Sequence, residues 1–252
     1  MADANSSAEH PAVPAVDPRG EAGGALLVAA VAGFAFLVTL FVQTPDGPTV
    51  GSATAAQVRE FAAENGTVIR LAALSGMVAF MSLVVFTAAL AQIARARLSM
   101  LVLTGLVATG GILIGVLLWL DTAAVSMTVV LPELIDTKLE RVDDVTVLAW
   151  YGLTGYTHYI ADYEMAPIVL ILFAFSIAAL QGGLLPRWLA WLGLVFACSG
   201  TLGIVGIATA VGVLYGFWFG GLFGFILWIL LVSVTLALRW WRLHRAQPAV
   251  AR

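Results

Sequence analysis

The sequence predicts an all-α polytopic membrane helix bundle: six transmembrane helices, an amphipathic outer helix and a partly helical outer loop. Three observations carry this. Of 252 residues, 61% are hydrophobic and 11% charged, with a mean hydropathy of +1.00. Soluble domains carry about 25% charged residues, so this chain has too little charge to cover a water-facing surface. Apolar stretches recur at the roughly 20-residue length that crosses a hydrocarbon core of about 30 Å. The last of them, from Trp188 to Leu238, contains no charge and is too long for one crossing, so it must fold back on itself.

Residues 1–20 form a polar tail with Pro11, Pro14 and Pro18, too poor in apolar groups to offset the entropy of ordering. A cleaved signal peptide is not expected. Acids outnumber Arg19 in the tail, and the first apolar stretch ends in the turn cluster Thr44-Pro45-Asp46-Gly47-Pro48 rather than a small-residue cleavage site. The transmembrane domain is expected over 21–245, with spans at about 24–43, 71–94, 99–120, 167–184, 188–210 and 216–238, and a short tail at 246–252. Pro167 and Pro186 mark span starts, where a missing N–H costs nothing. The Gly-rich stretch Val211 to Gly216 is the expected turn within the long uncharged run.

Orientation follows from arginine and lysine in the flanks. With the N-terminus inside, Arg19, Arg95, Arg97, Arg187, Arg239, Arg242, Arg245 and Arg252 are cytoplasmic; Arg59, Arg70, Lys138 and Arg141 are outside. Eight against four places both termini in the cytoplasm, and the localisation expected is a bacterial plasma membrane. A single lysine against eleven arginines fits a GC-rich bacterial coding bias. The C-terminal Arg239-Trp240-Trp241-Arg242 is read as an interfacial anchor.

Two outer loops are long enough to be structured. In the first, Thr54 and Gln57 form a capping box, and Val58, Phe61 and Ala62 share one helical face. A short amphipathic helix at the outer interface is expected, ended by Asn65-Gly66. The second loop, 121–166, combines eight acids with an aromatic segment containing Trp150, Tyr151, Tyr156, Tyr159 and Tyr163, and is read as an interfacial or re-entrant helix on the bundle's outer mouth.

Candidate chemistry concentrates in that loop. His158 and Asp162 stand four apart, on one face of a helix, and a carboxylate can orient an imidazole for acid–base or metal work. Asp121, read as closing the third span, and Glu164 complete a candidate outer-face polar site. The competing reading is a structural hydrogen bond. Zinc needs three protein ligands, preferably His or Cys, whereas His10 and His244 fall on the opposite side of the membrane. The acids at 133–144 read as a solvated face. No G-x-S-x-G, H-E-x-x-H or Walker-type motif is present, and the span interiors hold no histidine. No catalytic residue, cofactor or metal is therefore expected, and no partner of nucleic-acid type. Cys198, the single cysteine, reads as a small buried hydrophobe.

The strongest spacing signal concerns packing. Gly212, Gly216, Gly220 and Gly224 recur every four residues, with Gly221 beside them, and Gly111 and Gly115 repeat the pattern in the third span. Such spacing makes a groove into which another backbone packs. Gly111, Gly115, Gly216, Gly220 and Gly224 are expected to pack within the chain, or to serve a homo-oligomer or a membrane-protein partner. Phe217, Trp218, Phe219 and Phe223 are expected to face lipid or neighbours.

The stretch Ala55 to Asn65 (AAQVREFAAEN), running into a span that ends Phe86-Thr87-Ala88-Ala89-Leu90, resembles uncharacterised six-span integral membrane proteins of actinobacteria. So does Leu184 to Gly193 (LLPRWLAWLG) at the head of the fifth span. The resemblance covers about residues 23–245 and implies six helices in a bacterial plasma membrane; it transfers no catalytic residues. The function expected is structural, sensory or accessory to a membrane partner. The alternatives are a small carrier for an apolar or uncharged solute and a membrane enzyme using the outer-face His/Asp site.

Overall fold

Helices account for most of the described residues, because the polar backbone of an apolar segment satisfies its own hydrogen bonds in no simpler way. The computed structural model describes the backbone of residues 18–42, 45–95 and 101–245, with side chains described from residue 23 onward except at 125 and 158–162. The polar tails expected at 1–20 and 246–252 lie outside this description, apart from Pro18 onward, which already belongs to the first helix. The elements are α1 (Pro18–Thr39), α2 (Ala55–Arg95), α3 (Leu101–Leu134), α4 (Asp144–Ala161), α5 (Met165–Gly182), α6 (Arg187–Thr209) and α7 (Gly212–Arg245). Short 3-10 turns lie at Leu139–Arg141 and Asp162–Glu164. No strand occurs among the described residues.

This is a helical membrane bundle. Five helices (α2, α3, α5, α6 and α7) are long and apolar enough to cross a bilayer. The apolar part of α1, Gly23–Thr39, is shorter. The expected span of 24–43 stops early because the chain tightens at Thr39, where the amides of Leu40, Phe41 and Val42 bond to carbonyls only three residues back.

Six helices close a ring in the order α1, α2, α3, α5, α6, α7 and back to α1, while α4 packs on α3 and α2 at one end. α5 also touches α2 and α7 and is the most deeply enclosed. The centre is filled by Leu83 and Phe86 from α2, Ile171, Leu172 and Phe175 from α5, and Trp228, Ile229 and Val232 from α7, all buried. Phe175 and Trp228 meet edge to face at 5.9 Å, the geometry their ring quadrupoles favour.

Three further boundaries differ from the sequence expectation, each for a packing reason. The amphipathic outer helix and the second span are one helix of 41 residues. Asn65 and Gly66 are poor helix formers by about 0.7–1 kcal/mol each, yet they do not end it. Val58, Ala62 and Ile69 keep one continuous face buried, and the Asn65 side chain donates through Nδ2 back to the Phe61 carbonyl at 3.0 Å. α3 likewise continues past Asp121 to Leu134, so Asp121 lies more than three turns inside the helix and does not close it. It ends just after Pro132, with Asp136 taking a left-handed φ of 51°. Finally, the reversal in the uncharged run falls at Ala210-Val211, and Gly212 to Gly216 form the start of α7. Ala210 adopts φ 55° and its amide bonds back to Ile207.

The other connections behave as their residues suggest. Gly183, with φ 60°, caps α5, and the following Leu184 amide returns to the Ala179 carbonyl, the arrangement in which a left-handed glycine satisfies a helix end. Pro186 caps α6, and Arg239 of α7 donates to the Leu184 carbonyl at 2.9 Å, tying this turn to the last helix. At the end of α7, Trp240 lies against His244 and the Arg245 guanidinium stands 3.7 Å above the Trp241 ring.

Glycine contacts explain how closely α6 and α7 pack. A Cβ on Gly203 would stand 2.5 Å from the Trp218 Cα, and one on Gly221 would stand 2.7 Å from the Gly200 Cα. Gly206 is equally close to the Leu214–Tyr215 backbone. The groove is thus built on α6, and the α7 backbone lies in it. Gly220 and Gly224 meet Ser199 and Phe196 of α6, whereas a Cβ on Gly216 would meet nothing within 4 Å. Gly216 therefore takes no part in helix packing within the chain, contrary to its place in the four-residue spacing. Trp218 is buried beside Gly203, while Phe217, Phe219 and Phe223 are exposed on the bundle surface. In α3, Gly111 faces Thr87 and Gly115 faces Phe80 and Val84 of α2. Cys198 lies on the exposed side of α6, opposite the glycine groove, and not in the core.

Candidate functional site

Polar side chains gather at the end of the bundle where α2 begins and α3 finishes. The capping box forms there: the Thr54 amide donates to Gln57 Oε1 at 2.9 Å, and the Gln57 amide donates to Thr54 Oγ1 at 3.3 Å. α4 has an analogous start, with the Thr146 amide and hydroxyl both donating to Asp143. These two bonds, the hydroxyl's first, hold the Asp143 carboxyl below its ordinary pKa. Val147 and Tyr151 of α4 then close over Val58 and Ala55 of α2. The Tyr151 hydroxyl donates to the Pro48 carbonyl, fixing the loop after α1 to the cap, and burial pushes its pKa upward.

Between α2, the end of α3 and the 3-10 turn at Leu139–Arg141 lies a cleft of about 430 Å³. Its charged walls are Arg59, Arg70 and Lys138 opposite Glu133 and Glu140, and the hydroxyl-bearing Thr128, only 2% exposed, is at its side. Arg70 pairs with Glu133. Arg59 donates through Nη2 to Asp144 at 2.7 Å and to the Val142 carbonyl at 2.7 Å, and through Nε to the Leu139 carbonyl at 3.3 Å. The acids at 133–144 thus include two members engaged with α2, although Glu133 and Asp144 stay largely exposed.

Arg59 is the tie that holds the 136–143 connection to α2. Arg59→Ala removes bonds to two carbonyls and one carboxylate, and is expected to destabilise this connection by about 2 kcal/mol. Asp144→Asn loses only an exposed ion pair, which contributes about 0–1 kcal/mol. Limited trypsin digestion at Lys138 and Arg141 checks the difference: cleavage should accelerate in Arg59→Ala and stay near the parent rate in Asp144→Asn.

The four residues of the candidate outer-face site are not equally described. The side chains of His158 and Asp162 lie outside the described residues, although the backbone places His158 in α4 and Asp162 in the 3-10 turn that follows. Glu164 immediately precedes α5. Asp121 instead lines a cavity of about 330 Å³ whose walls come from α1, α2 and α3, among them Thr39, Ser75 and Thr122. Among the described residues no group of three or more His, Cys, Asp or Glu side chains is placed to hold a metal ion.

One feature of the sequence does point to the polar cleft. Arg59 and Arg70 are eleven apart, so on one unbroken helix they fall within about 20° of the same face. The break expected at Asn65-Gly66 concealed it.

Fold and site together define a polytopic helical membrane protein with a charged cap at one end. No protein-family model, curated protein or solved structure matches the chain.

Proposed function

We propose that the protein is a non-transporting component of a bacterial plasma membrane, of the actinobacterial six-span kind, with a sensory or accessory role played by its charged cap. The observation that carries this reading is the filled ring centre. Leu83, Phe86, Ile171, Phe175 and Trp228 occupy it from three helices and are buried, whereas a carrier needs a solvated path to the bilayer midplane. The charged groups instead converge on a cleft of about 430 Å³, within the size range of small-ligand sites. In this reading all six long helices cross the membrane. Both termini are cytoplasmic, and the cap of α4 with the adjoining ends of α2 and α3 faces outward, as the arginine distribution favours.

The test is flux. Full-length protein reconstituted in liposomes should leave the permeation of water, glycerol and urea at the rate of protein-free vesicles, followed by stopped-flow light scattering. Protein-dependent, saturable permeation would overturn the reading in favour of a carrier. A cysteine introduced at Lys138, in the Cys198→Ser background, should react with a membrane-impermeant maleimide in intact cells. Protection until the cells are lysed would reverse the topology.

A further inference from the structure

Resting on the reading of the charged cap as the seat of function, we propose that its cleft binds a small zwitterion, a primary ammonium joined through a few atoms to a carboxylate or a phosphate. The walls of the cleft are charged but nearly balanced. Arg59 is answered by Asp144, and Arg70 by Glu133. Lys138 and Glu140 remain on the cleft, one of each sign, and neither side chain makes an ion pair or hydrogen bond among the described residues. A ligand of single charge answers one of them and leaves the other facing nothing. A zwitterion answers both and adds no net charge.

Hydroxyl groups supply a second, independent observation. Helix threonines elsewhere in the chain spend their proton one turn back: Thr87 on the Leu83 carbonyl, Thr122 on Leu118, Thr201 on Ala197 and Thr235 on Leu231. Thr67, Thr128 and Thr137 all line the cleft, and their hydroxyls make no hydrogen bond among the described residues. Thr128 is only 2% exposed. A buried hydroxyl without a partner is costly, and the cleft is where Thr128 can find one. A hydroxyl both donates and accepts, so these three groups serve an anionic oxygen and an ammonium alike.

The cleft is built before any ligand arrives. Ala62, Ala63 and Gly66 put little side chain on the α2 wall and leave it open. The Thr137 amide donates to the Pro132 carbonyl at 2.9 Å, and Arg59 holds the Leu139 and Val142 carbonyls. Lys138 and Glu140 are thus carried on a turn fastened at both ends, which lowers the ordering cost of binding. Arg70 directly precedes the stretch of α2 from Leu71 to Ala94 that holds no ionisable residue, so the cleft meets both water and the headgroup layer. Two sources carry the required chemistry: a free amino acid or dipeptide, and the phosphoethanolamine headgroup of a lipid.

The experiment is thermal unfolding of the purified full-length protein in detergent, titrated separately with L-alanyl-L-alanine and with glycerophosphoethanolamine. At least one should raise Tm saturably, by about 4 °C at ten times its Kd, and the one that acts identifies the source. N-acetylation of that ligand, or loss of its anionic group (alanyl-alanine amide, ethanolamine), should raise the half-saturating concentration about fivefold. Glu140→Gln should erase the preference over the N-acetylated form, and Lys138→Gln the preference over the form without the anion. Thr128→Val should weaken binding about tenfold; if that variant does not fold, the two substitutions at exposed positions carry the test. The proposal is overturned by the lack of a saturable shift with either ligand, by equal half-saturation for the blocked forms, or by preferences that survive in both exposed variants. Lack of binding leaves the liposome flux result, and with it the non-transporting reading, untouched; protein-dependent flux would overturn that reading without altering these titrations.

Discussion

Replacing Gly203 by alanine is expected to lower the stability of the bundle by about 3 kcal/mol, the upper part of the range for overpacked cores. The added methyl would stand 2.5 Å from the Trp218 Cα and 2.6 Å from its backbone nitrogen, where carbon atoms normally rest about 3.5–4.0 Å apart. The obstacle is backbone, so no rotamer change relieves it, and α6 and α7 must separate. Separation strips contacts from Gly200 against Gly221 and from Gly206 against Tyr215 as well. In a bilayer this matters more than burial of area, since lipid tails are as apolar as the side chains and packing itself holds helices together. Gly216→Ala is the matched control. It brings the same gain in helix propensity, about 0.8–1 kcal/mol in water, and its Cβ meets nothing within 4 Å. Reversible unfolding by SDS titration in mixed micelles should show a clear loss for Gly203→Ala and none for Gly216→Ala. Equal behaviour of the two variants would disprove the assignment of the groove to α6.

Trp228→Ala is expected to have the largest effect of any single core truncation, about 3–5 kcal/mol. Trp228 is fully buried and meets Phe175 edge to face at 5.9 Å. Its removal leaves Phe175, also fully buried, facing a void at the centre of the ring. The helices stay inserted, because their apolar length is unchanged; what fails is their association. The loss should therefore appear in SDS titration and in the melting of near-ultraviolet dichroism, with far-ultraviolet helicity largely kept. Trp191→Ala removes the same side chain from the outer face of α6, where it is 60% exposed, and should change stability by no more than about 0.5 kcal/mol. A comparable loss in both variants would mean that the central aromatic pair contributes no special packing.

These expectations show which features the sequence made legible. Hydropathy alone located the apolar helices, because crossing a bilayer requires about 20 apolar residues wherever they occur. The capping box at Thr54 and Gln57 was legible because its two bonds are local. Interruptions were harder. Asn65-Gly66 reads as a stop by propensity, yet α2 continues through it because Val58, Ala62 and Ile69 bury one face against α3 and α4. Asp121 reads as the end of a span, yet α3 continues for 13 residues beyond it to Leu134. In both places a local preference of about a kilocalorie is outweighed by packing.

The candidate sites divide in the same way. The acids of the second loop were visible as a group, but the engagement of Glu133 with Arg70 and of Asp144 with Arg59 joins residues 63 and 85 apart. No spacing rule reaches that far. The glycine repeat in α7 announced close packing without saying which helix forms the groove. Gly200, Gly203 and Gly206 on α6 became recognisable only once Trp218 and Tyr215 were seen against them. Similarly, Thr39, Ser75 and Asp121 belong to three different helices and become neighbours only around one cavity.

By itself, then, the sequence determined that the chain is an all-α membrane protein and where its apolar segments lie, since both depend on composition and on a length matched to the bilayer. Tertiary structure alone decided how far α2 and α3 run on, which glycines face a neighbour, and which charges meet. Those outcomes depend on contacts between residues distant in the chain, and they outweigh the local propensities from which boundaries and sites are read.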